Sequence, residues 1–316
     1  MKEKKQIFAV VGPTASGKSG LALELAKRHN GEIISCDSMQ VYKRMDIGTA
    51  KPSKAEQREV RHHMIDVVDP TTPFSCEEYA ELAAKAIDDC ISRGKRPIIC
   101  GGTGLYLDTL LRGGNSAPSV DTLDIRCELC LRAEREGAQS LYDELMQKDS
   151  ESALATHPNN VKRVIRALEI FYATGMKKSE LDRQSKEIES RYSANVITLR
   201  YESRELLYKR IEIRVDEMIK AGLIEETESL LAEGVFQKNG TAAQAIGYKE
   251  LLSYVEGKTS LEDAVEELKK ATRRYAKRQI TWFSQKASFF PLLCDRDGEP
   301  KRFEEIVNNA QKLFSL

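Results

Sequence analysis

The chain has 316 residues, of which 49 are basic and 49 acidic, so its formal net charge is zero. Hydrophobic residues make up 41% and charged residues 31%, which excludes a disordered or collagen-like protein and gives roughly two domains with enough chain to bury a core unaided. A uniformly basic nucleic-acid coat is excluded as well, whereas a local basic patch is not, because net charge says nothing of distribution.

The first apolar run, Ile7 to Val11, follows Lys2, Lys4 and Lys5. It has the length of a buried strand and is too short for a signal-peptide core or a membrane span. Lys18 to His29 reads as a helix with Leu21, Ala22, Leu25 and Ala26 on one side, and Glu32 to Ser35 as a second strand. Cys76 to Arg93 is helical, and Pro97 to Cys100 is a short strand ended by Gly101 and Gly102. Such alternation predicts a parallel sheet covered by helices, an α/β core of the phosphate-loop kind.

From Asn115 to Tyr192 the pattern changes to helix formers, entered through Gly113, Gly114 and Pro118. Asp124 to Lys148 reads as helical, and so does Asn160 to Thr174, stopped by Gly175. Lys177 to Arg191 is polar and charged, and is the segment expected to be flexible. Val196 to Tyr201 returns to strand character. Helices over Arg204 to Ala221, Ile224 to Glu233 and Leu261 to Trp282 follow, and the tail beyond Phe290 is short and mixed. The domain reading is a catalytic core over 1–114 and 196–316, with an all-helical insertion over 115–195.

The seven scattered cysteines suggest reduced thiols and a cytoplasmic protein. Cys127 and Cys130 form one CxxC without a second ligand pair, and His62-His63 has no partner pattern, so neither is assigned a metal.

Gly12-Pro13-Thr14-Ala15-Ser16-Gly17-Lys18-Ser19 fits GxxxxGK[ST] between a strand and a helix. Glycines let backbone N–H groups converge on an anion, and the helix N-terminus adds partial positive charge. Lys18 supplies a point charge, and Ser19 can ligate Mg²⁺. The motif predicts a bound di- or triphosphate without saying which. No NKxD base-recognition motif follows. Asp37, after Ile33-Ile34-Ser35-Cys36, ends the second strand and should face the ligand crevice. It reads equally as a general base, a Mg²⁺ ligand or a turn residue.

Further blocks follow in order. They are Ser35 to Lys43, Met45 to Pro52, Gly101-Gly102-Thr103-Gly104-Leu105-Tyr106, His157-Pro158-Asn159, Arg163 to Glu169, Ala245-Ile246-Gly247-Tyr248 and Lys277 to Trp282. Together with the loop they span residues 12 to 282, and the chain closely resembles the tRNA dimethylallyltransferases, also called tRNA isopentenyltransferases. It is similar to the bacterial form, since the Cys and His of the added eukaryotic zinc finger are lacking.

The resemblance implies transfer of a dimethylallyl group from dimethylallyl diphosphate to N6 of the tRNA adenosine at position 37, just 3′ of the anticodon. Diphosphate leaves and no ATP is consumed, so the loop would hold the leaving group, with Mg²⁺ at Ser19. Asp37 matches the general base, Thr103 a residue near the bridging oxygen, and Arg214 a residue reaching the diphosphate from the far side. The tRNA would be met by Asp37, Ser38, Met39 and Gln40, by Arg126, Lys162, Arg163 and Arg166 in the helical insertion, and by Gln244, Gly247 and Lys249. Lys269, Lys270, Arg273, Arg274, Lys277 and Arg278 form two adjacent rows on one helix with no acid interrupting them, and suit a phosphate backbone. A monomer with no membrane contact is expected. A small-molecule phosphate-loop kinase is the leading alternative.

Overall fold

The computed structural model describes residues 4–112, 122–187, 189–236 and 240–314. Gly113, Gly114 and Pro118, read as the entry to the helical part, lie outside the described residues. The opening half runs β1 (Lys5–Val11), α1 (Lys18–Arg28), β2 (Gly31–Ser35), α2 (Lys54–Glu59), β3 (His62–His63), α3 (Cys76–Ser92), β4 (Arg96–Gly101) and α4 (Gly104–Arg112). Five helices follow: α5 (Leu123–Glu136), α6 (Ala138–Lys148), α7 (Ser150–Leu154), α8 (Val161–Thr174) and α9 (Lys178–Glu187). The closing half comprises β5 (Tyr192–Arg200), α10 (Arg204–Lys220), α11 (Leu223–Ala232), α12 (Leu252–Val255) and α13 (Leu261–Ser284). It ends with β6 (Phe290–Leu293), the hairpin β7 (Asp295–Arg296) and β8 (Glu299–Pro300), and α14 (Phe303–Phe314).

The chain divides into two compact units, Met1–Leu111 with Arg191–Leu316, and Arg112–Ser190. In the first, six strands form a parallel sheet in the order β3-β2-β4-β1-β5-β6. The period-two alternation of β1 explains why both faces are covered. Ile7, Ala9 and Val11 join one core with Tyr79, Ala83 and Ile87 of α3. Phe8 and Val10 join the opposite core with Leu21 and Leu25 of α1 and Val307, Ala310 and Phe314 of α14. α3 starts where it does because Ser75 and Glu78 form a reciprocal capping box. β1 and β2 lie on opposite sides of β4, so the loops at the carboxyl ends of β1, β2 and β4 converge where the strand order turns, the usual place for a ligand in an open α/β sheet.

The second unit packs Leu129, Leu141, Leu145, Val164 and Leu168 into its own core. Asp124 to Lys148 is helical in two pieces, because Gly137 takes φ +87° and separates α5 from α6. The polar stretch after Lys177 is largely the helix α9, whose entry is fixed when the buried Asp149 carboxylate accepts the Ser179 N–H at 3.0 Å and its hydroxyl at 2.7 Å. Polarity reported solvent exposure there rather than disorder. No helix among the described residues is long and apolar enough to cross a membrane.

Candidate active site

The loop from Gly12 to Gly17 leaves β1 and enters α1 at Lys18. Gly17, the residue before α1, takes φ +91°, a left-handed conformation that glycine adopts without a Cβ penalty. At Gly101 the reason for glycine is space: a Cβ would stand 2.0 Å from the Cys36 carbonyl oxygen. That close approach lets Thr103 donate its N–H to the same carbonyl at 3.1 Å. The Thr103 hydroxyl in turn accepts the Ser38 N–H at 3.0 Å. Asp37 is oriented by accepting the Met39 N–H at 2.9 Å. The loops after β2 and β4 are thus tied together at the residues the resemblance singled out.

Lys18, Ser19, Asp37 and Arg214 line one small cavity with Thr14, Cys100, Tyr275 and Gln279. A wider cleft of ≈ 780 Å³ opens from Lys18, Ser19 and Arg214 past Lys51, Lys54 and Arg210. A third cavity runs from Asp37, Ser38 and Met39 to Gln244, Gly247 and Lys249, again with Arg214 and Tyr275 on its wall. Three cavities therefore share Arg214. Its guanidinium lies 3.5 Å from the Thr14 hydroxyl.

The electrostatics of the cavity favour an anion. Burial holds Lys18 below the usual lysine value, and the Arg214 charge adds to that shift while Asp37 opposes it. Burial also lowers Arg214, with Asp37 and Glu217 acting against it. Two cations with reduced hydration beside one carboxylate would gain from a polyanion between them. Burial keeps the neighbouring thiols protonated, Cys36 pushed up to about 12 and Cys100 to about 11, so neither is a thiolate nucleophile. Burial, then the Asp37 charge, raises the Tyr275 hydroxyl as well. Ser19 at the start of α1 and the Asp37 carboxylate offer oxygen donors in one cavity, a donor set that fits Mg²⁺ when phosphate oxygens and waters complete its shell.

The other residues read from the sequence are placed unevenly. Gln40 does not present a free amide edge: its oxygen accepts the Ser35 hydroxyl at 2.8 Å, and its nitrogen donates to the carbonyls of Thr49 and Ala50 at 3.2 and 3.1 Å. The basic rows on α13 are split. Lys269 pairs with Asp216 at 2.7 Å, and Arg273 with Glu212 at 2.7 Å and Glu266 at 3.0 Å. The acids at 212 and 216 stand on α10, so a reading of α13 alone could not find them. Arg274 is exposed and lies 3.6 Å from Glu267, while Lys277 is exposed. In the helical unit, Arg126 and Arg166 both reach the buried Glu169 carboxylate, at 2.9 and 2.8 Å, and Lys162 and Arg163 stand exposed on α8.

Three residues of the site were not assigned from the sequence. Arg210 donates to the Ala15 carbonyl at 2.9 Å and lines the wide cleft. Tyr275 and Gln279 reach the centre from α13. Gln279 did leave a signal, as the one polar member of the buried stripe Ala264, Leu268, Ala276, Gln279 and Phe283.

A strand, a glycine loop and a helix that hold a half-buried lysine at the carboxyl edge of a parallel sheet define a phosphate-loop α/β enzyme. The profile of the IPP transferase family matches residues 40–286. A tRNA dimethylallyltransferase of Caldanaerobacter subterraneus subsp. tengcongensis is 49% identical over 88% of each chain. The structure of the tRNA isopentenylpyrophosphate transferase of Bacillus halodurans is 40% identical, superposes with a TM-score of 0.70 and covers 99% of this chain and 97% of its own. A eukaryotic dimethylallyltransferase solved acting on tRNA is 33% identical, with a TM-score of 0.75, over 92% of this chain and 74% of that one. The chain belongs to the IPP transferase family and is an enzyme of the prenyltransferase class.

Proposed function

We propose that the enzyme transfers the dimethylallyl group of dimethylallyl diphosphate to N6 of the adenosine just 3′ of the anticodon in tRNA. The observation that carries this reading is the Asp37 carboxylate facing the same cavity as the two half-buried cations Lys18 and Arg214. A base beside an anion cradle suits a reaction in which a diphosphate departs while an amine attacks. It does not call for ATP.

In the proposed step the allylic C–O bond breaks and its electron pair leaves on the diphosphate oxygen. The N6 lone pair forms the new C–N bond, and the N6 proton passes to Asp37. Lys18, Arg214 and the first-turn N–H groups of α1 stabilise charge that grows on the leaving group. Thr103 is held beside Asp37 by its bonds to the flanking Cys36 and Ser38, and its hydroxyl, which donates to the Ser38 hydroxyl at 3.3 Å, would turn to donate to the departing oxygen. When bound, Mg²⁺ would neutralise part of the diphosphate charge, with Ser19 as its protein ligand.

The cavity from Asp37 to Gln244, Gly247 and Lys249 is the proposed entry for the target base, which must leave the anticodon stack to be modified. The exposed cations Arg274 and Lys277 on α13, and Lys162 and Arg163 on the helical unit, are the proposed contacts to the tRNA backbone. Arg126 and Arg166 share that role from their fixed positions on Glu169.

Asp37→Asn tests the assignment, since the amide keeps the shape and the contact to Met39 but cannot take a proton. Turnover should fall roughly 10²–10⁴-fold, the usual span for losing a general base, with tRNA affinity retained in a filter-binding titration. Near-normal turnover in that variant removes Asp37 from the role of base.

A further inference from the structure

Gln279 is 5% exposed and sits between two loops distant in sequence. Its Oε1 accepts the Thr14 N–H at 2.8 Å, and its Nε2 donates to the Gly102 carbonyl at 2.9 Å. The orientation of the amide follows from its neighbours, because Thr14 N–H can only donate and a carbonyl can only accept. Gly102 is glycine for the same reason: a Cβ there would lie 2.2 Å from that Nε2.

An anion nest holds as many phosphate oxygens as it has free N–H groups aimed at them. In this loop the Thr14 N–H goes to Gln279, and the Ser16 N–H goes to the Pro13 carbonyl at 3.3 Å. The N–H groups of the first turn of α1, which no helix satisfies internally, remain for the ligand. Arg210 fixes the intervening Ala15 carbonyl. Two N–H groups of the loop, those of Thr14 and Ser16, are therefore turned to protein, which leaves the first turn of α1 to meet a phosphate.

We propose that Gln279 is a specificity-determining positioning residue of the phosphate loop, which withdraws the Thr14 amide so that the cradle takes a diphosphate and rejects a triphosphate. The inference rests on the reading that this loop holds a diphosphate. It adds a reason why a motif common to both ligands selects one.

The test is calorimetric titration of the full chain, with Mg²⁺, against inorganic pyrophosphate and inorganic tripolyphosphate. Two variants separate hydrogen bonding from packing. Gln279→Met keeps the length and loses both bonds, whereas Gln279→Glu keeps an acceptor for Thr14 and loses the donor to Gly102. Wild type should prefer pyrophosphate by about tenfold or more, the scale of one charge-assisted hydrogen bond. The preference should fall to within about threefold in Gln279→Met and persist in Gln279→Glu, even though the added charge weakens both ligands. A folded Gln279→Met protein with the wild-type preference overturns the inference, as does equal loss of preference in both variants, which would mean disturbed packing alone. Wild type that binds neither polyphosphate overturns the diphosphate reading itself, a different failure.

Discussion

At the scale of single residues, the account turns on Lys18. Its ammonium is held below the usual lysine value by burial first and by Arg214 second, so it loses its charge at a lower pH than an ordinary lysine, whose value is about 10.4. A neutral amine no longer attracts phosphate. The advantage of wild type over Lys18→Met in pyrophosphate affinity should therefore shrink as pH rises, and do so below the pH at which an ordinary lysine loses its charge. Titrations of both proteins across a pH series check this, and an advantage constant with pH would contradict it. Lys18 was legible because its motif is local: eight consecutive residues between a strand and a helix carry the whole signal. Asp37 was placed at the crevice by its position after the second strand, but its role, and Thr103 altogether, were legible only through the resemblance. Arg210 and Gln279 reach the loop from positions 195 and 265 residues further along the chain, and only the finished fold brings such groups together.

Among the elements, β2 carries a network outside the site. Glu32 is buried at its start and accepts both Arg93 N–H groups at 2.5 and 2.7 Å, with His63 at 2.7 Å and Cys90 at 3.4 Å. These bonds, Arg93 foremost, hold its carboxyl down at about 2 from a usual 4.5. A lowered carboxyl stabilises the fold at pH above the unfolded value, and that stabilisation drains away as pH falls from about 4.5 towards 2. Glu32→Gln should cost roughly 2–4 kcal/mol at neutral pH and much less near pH 3. Urea unfolding at both pH values measures the two costs, and equal costs would show that the charge is not what matters. The pair His62-His63 forms β3, where His63 ties the sheet edge to Cys90 of α3 and His62 lines the small cavity. Strand and helix types were readable from periodicity, as β1 and α1 show. Boundaries were less so, because Gly137 breaks an otherwise continuous helical pattern and a buried aspartate, Asp149, orders a segment whose composition is that of a loop.

For the whole molecule, a net charge of zero proved compatible with concentrated charge: half-buried cations at one end of the sheet, and exposed ones on α8 and α13. Ion pairs between helices absorb part of what looked like an open basic row, since Arg273 and Lys269 join α13 to α10. Pair formation across elements is invisible to a helical wheel, which sees one helix at a time. The α/β core was legible because its parallel strands are short apolar runs separated by helices. The sheet order was not, since local pattern does not determine which strands become neighbours.

The central claim is that the loop cradles a leaving diphosphate while Asp37 frees the attacking amine. Its most direct measurement follows label from dimethylallyl diphosphate into unmodified tRNA, with Mg²⁺ and without ATP. The account predicts incorporation that disappears when the adenosine 3′ of the anticodon is replaced by another base. Incorporation at any other nucleotide, or phosphoryl transfer from ATP in place of prenyl transfer, would contradict it.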